Sequence, residues 1–274
     1  MNNSIKIPFI KMHGTGNDFV IIDCREHIYP NNDVIRIADR KRGIGCDQTI
    51  FIYSSGTQTC KIEIFNPDGS MAEMCGNAVR CIFWLITSDK SPHASIQLSN
   101  RVVYGERLCD GQIKVNMGKP LTHWQDIPLL EPQNTLTINL DIGDLKSPTA
   151  TNIGNPHLTY FVDDVNSVPF EKVAPLIENH SLFPNRINVS IAQVLNGNEI
   201  RVRIWERGTG ITESCGSAAC ATLIAAIRRG LVQNNKAKIR LPGGDLMVEF
   251  DGDCVYKTGD AVLVFEGKYI QQFN

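Results

Sequence analysis

The sequence predicts an α/β chain, of the α+β kind, built as two pseudo-symmetric domains. Each is expected to be a curled, mostly antiparallel sheet or barrel around a central helix. Three observations carry this. Cys75 and Cys215 lie 140 residues apart in matching settings, Met74-Cys-Gly-Asn-Ala78 and Ser214-Cys-Gly-Ser-Ala218. The residues before them keep the same frame: Ile62, Ile64 and Phe65 match Val202, Ile204 and Trp205, and Asn66 matches Glu206. The segment after each cysteine is apolar on nearly every face, as a helix enclosed on all sides must be. The expected domains are 1–118, carrying Cys75, and 119–260, carrying Cys215. Residues 261–274 form a C-terminal strand assigned either to the N-terminal domain or to a dimer interface.

The elements follow in the same order in both halves. A strand enters from Gly16-Asn17, and its counterpart from Gly154-Asn155. A helix is expected near 33–41 and again near 169–179, where Pro169 suits a first helical turn. Strands follow near 49–53 and 61–65, then near 190–194 and 199–205; Gln48 and Asn188 precede the first of each pair. A Gly-rich turn leads to the cysteine, and helices over 77–87 and 217–229 come next. Asp110-Gly111 and Asp251-Gly252 read as hairpin turns closing each copy. The join is expected near 118–120.

Composition narrows the function. Of 274 residues, 42% are hydrophobic and 20% charged, with a net charge of −2. That is an ordinary balance with no basic block, so nucleic acid and a membrane surface are not expected partners. Pro8, Lys11 and His13 interrupt any signal-peptide pattern, and the apolar run 218–227 is too short to span a bilayer, so the expected location is the cytoplasm. The nine cysteines include no Cys-x-x-Cys and no zinc-spaced quartet. No disulfide framework and no metal are therefore expected. Cys24, Cys60, Cys81, Cys109, Cys220 and Cys254 read as small buried hydrophobes; Cys46 is open to either reading.

A Cys-Gly pair opening a buried helix has a definite chemistry. The first N–H groups of a helix lack internal partners, and its dipole adds positive charge there. Both favour a thiolate and an anion, and Gly76 and Gly216 let a carboxylate approach the backbone. Two such ends facing each other would hold one carboxylate with a sulfur on each side of the neighbouring carbon. That suits proton exchange at an amino-acid α-carbon, with stabilisation of the enolate-like charge supplying much of the rate. No lysine sits in a pyridoxal-phosphate setting, so no cofactor is expected. His157 stands ready to pair with a thiolate or is an ordinary turn residue. Glu206-Arg207 would bind the ammonium and carboxylate at a substrate's far end, or form a surface ion pair. Asn17, Gln48, Asn66, Asn155 and Asn188 all fall at strand–turn junctions and suit a zwitterionic ligand if they converge.

The blocks Met12-His-Gly-Thr-Gly-Asn-Asp-Phe19, Gly43-Ile-Gly-Cys-Asp-Gln48, Phe65-Asn-Pro-Asp-Gly-Ser70, Met74-Cys-Gly-Asn-Ala-Val-Arg-Cys81, Gly154-Asn-Pro-His157, Trp205-Glu-Arg-Gly-Thr-Gly210 and Ser214-Cys-Gly-Ser-Ala-Ala-Cys220 resemble the signature blocks of the diaminopimelate epimerases. The resemblance implies a pyridoxal-independent enzyme that interconverts LL- and meso-2,6-diaminoheptanedioate for lysine and cell-wall synthesis, as a homodimer. Cys75 and Cys215 are then the acid/base pair, with His157 and Glu206 influencing their protonation. The ligand site would be lined by Asn17, Gln48, Asn66, Gly76, Asn77, Asn155, Asn188, Glu206, Arg207, Gly216 and Ser217. A racemase of another amino acid on the same fold is the alternative.

Overall fold

The computed structural model describes residues 4–72 and 74–272. It divides into two compact units. One runs to Val115 and resumes at Gly259; the other is Asn116–Thr258.

In the first unit the order is β1 (Ser4–Gly14), β2 (Asn17–Asp23), α1 (Val34–Ala38), β3 (Gln48–Tyr53), β4 (Cys60–Phe65), β5 (Met71–Ala72), α2 (Gly76–Ile86), β6 (His93–Gln97), β7 (Val102–Arg107) and β8 (Ile113–Gly118), whose last three residues already belong to the second unit. Pairing is antiparallel except for β2–β3 and β4–β6, which are parallel. The second unit repeats the order: β9 (Thr149–Asn152), β10 (Pro156–Phe161), α3 (Phe170–Glu178), β11 (Asn188–Asn196), β12 (Glu199–Glu206), β13 (Gly210–Thr212), α4 (Gly216–Arg228), β14 (Lys236–Leu241), β15 (Gly244–Phe250) and β16 (Val255–Gly259). Its two parallel pairings, β10–β11 and β12–β14, fall at the equivalent places. Even the register repeats, with Phe19 opposite Gln48 and His157 opposite Asn188. The expected pseudo-symmetry is therefore present strand by strand.

Each thiol-bearing helix is the centre of its unit. α2 packs on β1, β2, β6 and β7, and α4 on β9, β10, β11, β14 and β15. Residues 77–83 of α2 and 218–226 of α4 are buried. Small side chains in α4, five of them alanine, let strands close on it from several directions. The helices start one residue earlier than the sequence suggests, at Gly76 and Gly216.

α1 is shorter than the 33–41 expected. The chain turns back after Ala38, and the N–H groups of Ile44 and Gly45 both reach the Ile37 carbonyl while that of Cys46 reaches Ala38. The helix's last carbonyls are thus taken by the following loop, so a further turn has no acceptors. The loop passes so close that a Cβ at Gly43 would lie 1.7 Å from the Arg36 carbonyl oxygen, which only glycine avoids. Two cysteines also depart from expectation. Cys109 is exposed and Cys254 half-buried, because the Asp110-Gly111 and Asp251-Gly252 turns carry them to the surface.

The last strand, β17 (Val262–Gln272), returns to the first unit and pairs antiparallel along β1. It completes a sheet of its own chain, yet Val262, Leu263, Val264 and Phe265 remain between 39% and 51% exposed. Gly267 makes room for Phe9, whose ring stacks edge-on against Phe265 at 5.9 Å.

Candidate active site

Cys75 and Cys215 cap their helices with the same backbone. Cys75 has φ −135° and ψ 113°; Cys215 has φ −136° and ψ 114°. Neither side chain caps the helix by hydrogen bonding. The first N–H groups of the helix that follows each cap have no intrahelical acceptor. No carboxylate stands in the first turn of either helix. The positive end of each dipole is thus left for an anion.

In the first unit, Asn17 opens β2, Gln48 opens β3, and Asn66 follows β4. With Asn77 they form two pairs. Asn77 Nδ2 donates to Asn17 Oδ1 at 2.7 Å. Gln48 Nε2 donates to Asn66 Oδ1 at 2.9 Å, and Asn66 Nδ2 donates to Ser70 Oγ at 3.1 Å. Gln48 Oε1 is buried and has no hydrogen-bond partner among the described residues. An unsatisfied buried acceptor costs about 1–3 kcal/mol and calls for a donor such as an ammonium. Beside this cluster, Asp18 takes charge-assisted bonds from Lys11 and Arg40. They hold its carboxyl well below the usual range despite the opposing effect of burial.

In the second unit, Cys215 is 7% exposed, and its Sγ lies 3.4 Å from Ser217 Oγ. Burial pushes this thiol well above the ordinary range, and the charge of Glu206, at the end of β12, pushes the same way. Cys215 is accordingly a neutral thiol at pH 7, with a carboxylate beside it. Glu206 is half-buried rather than part of a surface ion pair, whereas Arg207 is exposed and donates from Nη1 to the Asn185 carbonyl at 2.9 Å. Asn188 is a tie: Nδ2 donates to the Pro156 carbonyl and Oδ1 accepts the Arg207 N–H. Both ends of its amide are therefore already engaged.

His157 is fully buried. Its Nε2 bonds to Asn155 Oδ1 at 2.9 Å, and Nδ1 has no partner among the described residues. Burial, and secondarily the charge of Arg207, lower its pKa to about 3. Below pH 6.5 the unfolded chain takes up a proton that the folded chain refuses. Stability from this residue is therefore complete above pH 6.5 and lost as pH falls toward 3, by about 1.4 kcal/mol per unit. We expect the imidazole signals of His157 to show no titration by NMR between pH 8 and 5; a midpoint near 6.5 would contradict the buried, neutral ring.

The profile of the diaminopimelate epimerases matches residues 9–122 and 149–264. The chain belongs to the diaminopimelate epimerase family. A diaminopimelate epimerase of Wolbachia sp. subsp. Drosophila simulans is 49% identical over 254 residues, covering 92% of this chain and 95% of that one. One from Erythrobacter litoralis is 41% identical over 269 residues, covering 97% and 98%. Among solved structures, the Bacillus anthracis phenazine biosynthesis protein of the PhzF family superposes with a TM-score of 0.70 at 16% identity, covering 96% of this chain and 99% of that one. A hydroxyproline epimerase from Agrobacterium vitis, with bound trans-4-hydroxy-L-proline, gives 0.69 at 11% identity, covering 97% and 92%. These two likenesses show the fold.

For this member of the diaminopimelate epimerase family, three charged residues near the thiol helices went unnoticed in the sequence. Arg80 is a fully buried arginine inside α2. Asp47 bonds to Asn17 and to the N–H of Asp18. Lys257 is fully buried and packs on Gly216, where an added Cβ would come within 2.2 Å of its Nζ. Arg80 carries a signal, being the lone charge on an otherwise apolar helix. Lys257, in Val-Tyr-Lys-Thr-Gly259, carries none. Among the described residues no group of three or more His, Cys, Asp or Glu is placed to hold a metal, and no helix is long and apolar enough to cross a membrane.

Proposed function

We propose that this chain interconverts LL- and meso-2,6-diaminoheptanedioate, with Cys75 and Cys215 exchanging protons at one α-carbon and no pyridoxal phosphate or metal. The observation that carries the reading is the pair of cysteines capping equivalent buried helices with the same backbone angles. A substrate carboxylate takes the outward N–H groups of Gly76-Asn77 and Gly216-Ser217. Those groups then stabilise the enolate-like charge as the α-proton leaves. One thiol must be ionised to remove the proton and the other protonated to return it on the opposite face. Glu206 beside Cys215 is the group that takes up or returns its proton, while the ring of His157, which burial keeps neutral, influences thiol protonation as a dipole and not as a base. Asn17, Gln48, Asn66, Asn155, Glu206 and Arg207 hold the polar ends of the substrate, and Asn188, its amide tied to the Pro156 carbonyl and the Arg207 N–H, keeps the start of β10 and Arg207 in place beside them. The lone acceptor of Gln48 supports a ligand bearing an ammonium group.

The reaction belongs to lysine and peptidoglycan-precursor synthesis, in the cytoplasm. A homodimer is part of this reading, supported by the exposed apolar run 262–265 on β17, since an exposed apolar strand invites a second chain.

The purified protein with chelator present is expected to exchange the α-hydrogen of LL-diaminopimelate in D₂O and convert it to the meso form. Activity lost on chelation, or turnover only of a monocarboxylic amino acid such as a proline, would replace this reading with another racemase on the same fold.

A further inference from the structure

Asn17 and Asn77 sit on different elements of the first unit, yet they form one hydrogen-bond chain with a charge at each end. Arg80 Nη1 donates to Asn77 Oδ1 at 2.8 Å. Asn77 Nδ2 donates to Asn17 Oδ1 at 2.7 Å, and Asn17 Nδ2 donates to Asp47 Oδ2 at 3.2 Å. The ends settle the direction, because a guanidinium only donates and a carboxylate only accepts. Turning over either amide would set N–H against N–H and oxygen against oxygen.

Both ends are themselves fixed. Asp47 Oδ2 also accepts the Asp18 N–H at 3.1 Å, and Oδ1 accepts from Arg40 at 2.8 Å. Arg80 donates to Thr15 Oγ1 at 2.9 Å and to the Asp260 carbonyl at 3.2 Å. Strand β1 closes over it at Gly14, where a Cβ would lie 3.0 Å from Nη2. The chain thus joins the loop before β3, the start of β2 and the first turn of α2.

Asn77 is the second residue of the helix that Cys75 caps. We infer that Asp47 and Arg80 are positioning residues, which act through Asn17 and Asn77 to lock the first turn of α2 and its anion-binding N–H groups beside Cys75. The inference rests on the proposed reaction for its kinetic consequence. Loosening such a turn leaves the N–H groups present but misdirected. That weakens the transition state, where charge builds on the carboxylate, more than ground-state binding. The same slackening removes support for a Cys75 thiolate.

Asp47→Ala tests the lock from its accessible end, the Asp47 side chain being 40% exposed, and removes the acceptor that an asparagine oxygen would preserve. The control is Arg40→Gln, which deletes the ion pairs of Arg40 with Asp18 and Asp47 but leaves the Asn17 bond in place. Two readouts are taken: kcat and KM with diaminopimelate, and the rate of iodoacetamide alkylation at Cys75, with Cys215 as reference in the same peptide map. Asp47→Ala should lower kcat about tenfold with KM within about threefold, and slow Cys75 alkylation about threefold relative to Cys215. Arg40→Gln should stay within about twofold of wild type in both. Combining Asp47→Ala with Asn17→Ala should cost no more than the worse single change, as for members of one unit. Equal behaviour of Asp47→Ala and Arg40→Gln in both readouts would overturn the inference, whatever the melting temperatures. If the wild type does not turn over diaminopimelate, the proposed reaction fails, and the alkylation rates alone decide the lock.

Discussion

Cys75→Ser and Cys215→Ser are each expected to lower steady-state epimerisation by about 10³-fold or more, while Cys81→Ser and Cys220→Ser keep most of it. A positioned acid or base contributes roughly 10²–10⁴-fold, and a serine hydroxyl, far less acidic than a thiol, cannot replace it near pH 7. The two control cysteines lie on the same helices but are wholly buried. Burial pushes the Cys81 thiol up to about 12, so it is neutral and inert at working pH. Their replacement buries a hydroxyl, costing about 1–3 kcal/mol of stability unless the hydroxyl finds a backbone carbonyl, and the cost appears in melting rather than in turnover. The comparison therefore separates the chemistry of a thiol at a helix start from the packing of a thiol in a core. Steady turnover by Cys75→Ser or Cys215→Ser above about a tenth of the wild-type rate would rule out the two-thiol reaction.

The same contrast explains what the sequence could and could not reveal. Duplication made the architecture legible, because equivalent strands repeat both the apolar pattern and the turn residues. The thiols stood out because each sits between a Gly-rich turn and an enclosed helix, a local arrangement visible in a few residues. Positions set by distant backbone were not legible. α1 ends at Ala38 because a returning loop occupies the carbonyls of Ile37 and Ala38, and nothing within 33–41 forecasts that. Asp47 reads as an unremarkable neighbour of Gln48. It becomes an anchor only because β2 and β3 run parallel and bring its carboxylate to Asn17. Cys109 and Cys254 lie at the surface although cysteine is usually a core residue, because each stands beside an Asp-Gly turn. Asn188 reads locally as a strand–turn amide, but its two backbone partners come from β10 and from Arg207, beyond the reach of local pattern.

Glu206→Gln is expected to move two measurements in opposite directions. The carboxylate of Glu206 acts on Cys215 through its charge and through a hydrogen bond, both holding the thiol protonated, on top of the larger effect of burial. Removing the charge takes away that repulsion, so Cys215 ionises more readily and its alkylation at pH 7 speeds up. Yet a buried thiol can serve as a base only after giving its proton to an acceptor, and an amide is a very poor one. Turnover should therefore fall, by about 10²-fold if the carboxylate acts as a general base of ordinary efficiency. The fall in kcat/KM must be the same starting from the LL or the meso isomer, because their ratio is the equilibrium constant and no substitution alters it. A structural role for Glu206 would predict something else. Disordering the end of β12 and the turn after it would expose Cys215 and lower activity together with the melting temperature, and Glu206→Asp would do no better. If Glu206 is the proton acceptor, Glu206→Asp should recover part of the lost activity, and Glu206→Gln should melt near the wild type. Slower alkylation of Cys215 in Glu206→Gln would show that the carboxylate does not hold the thiol protonated, and the proposed proton path through Glu206 would have to be abandoned.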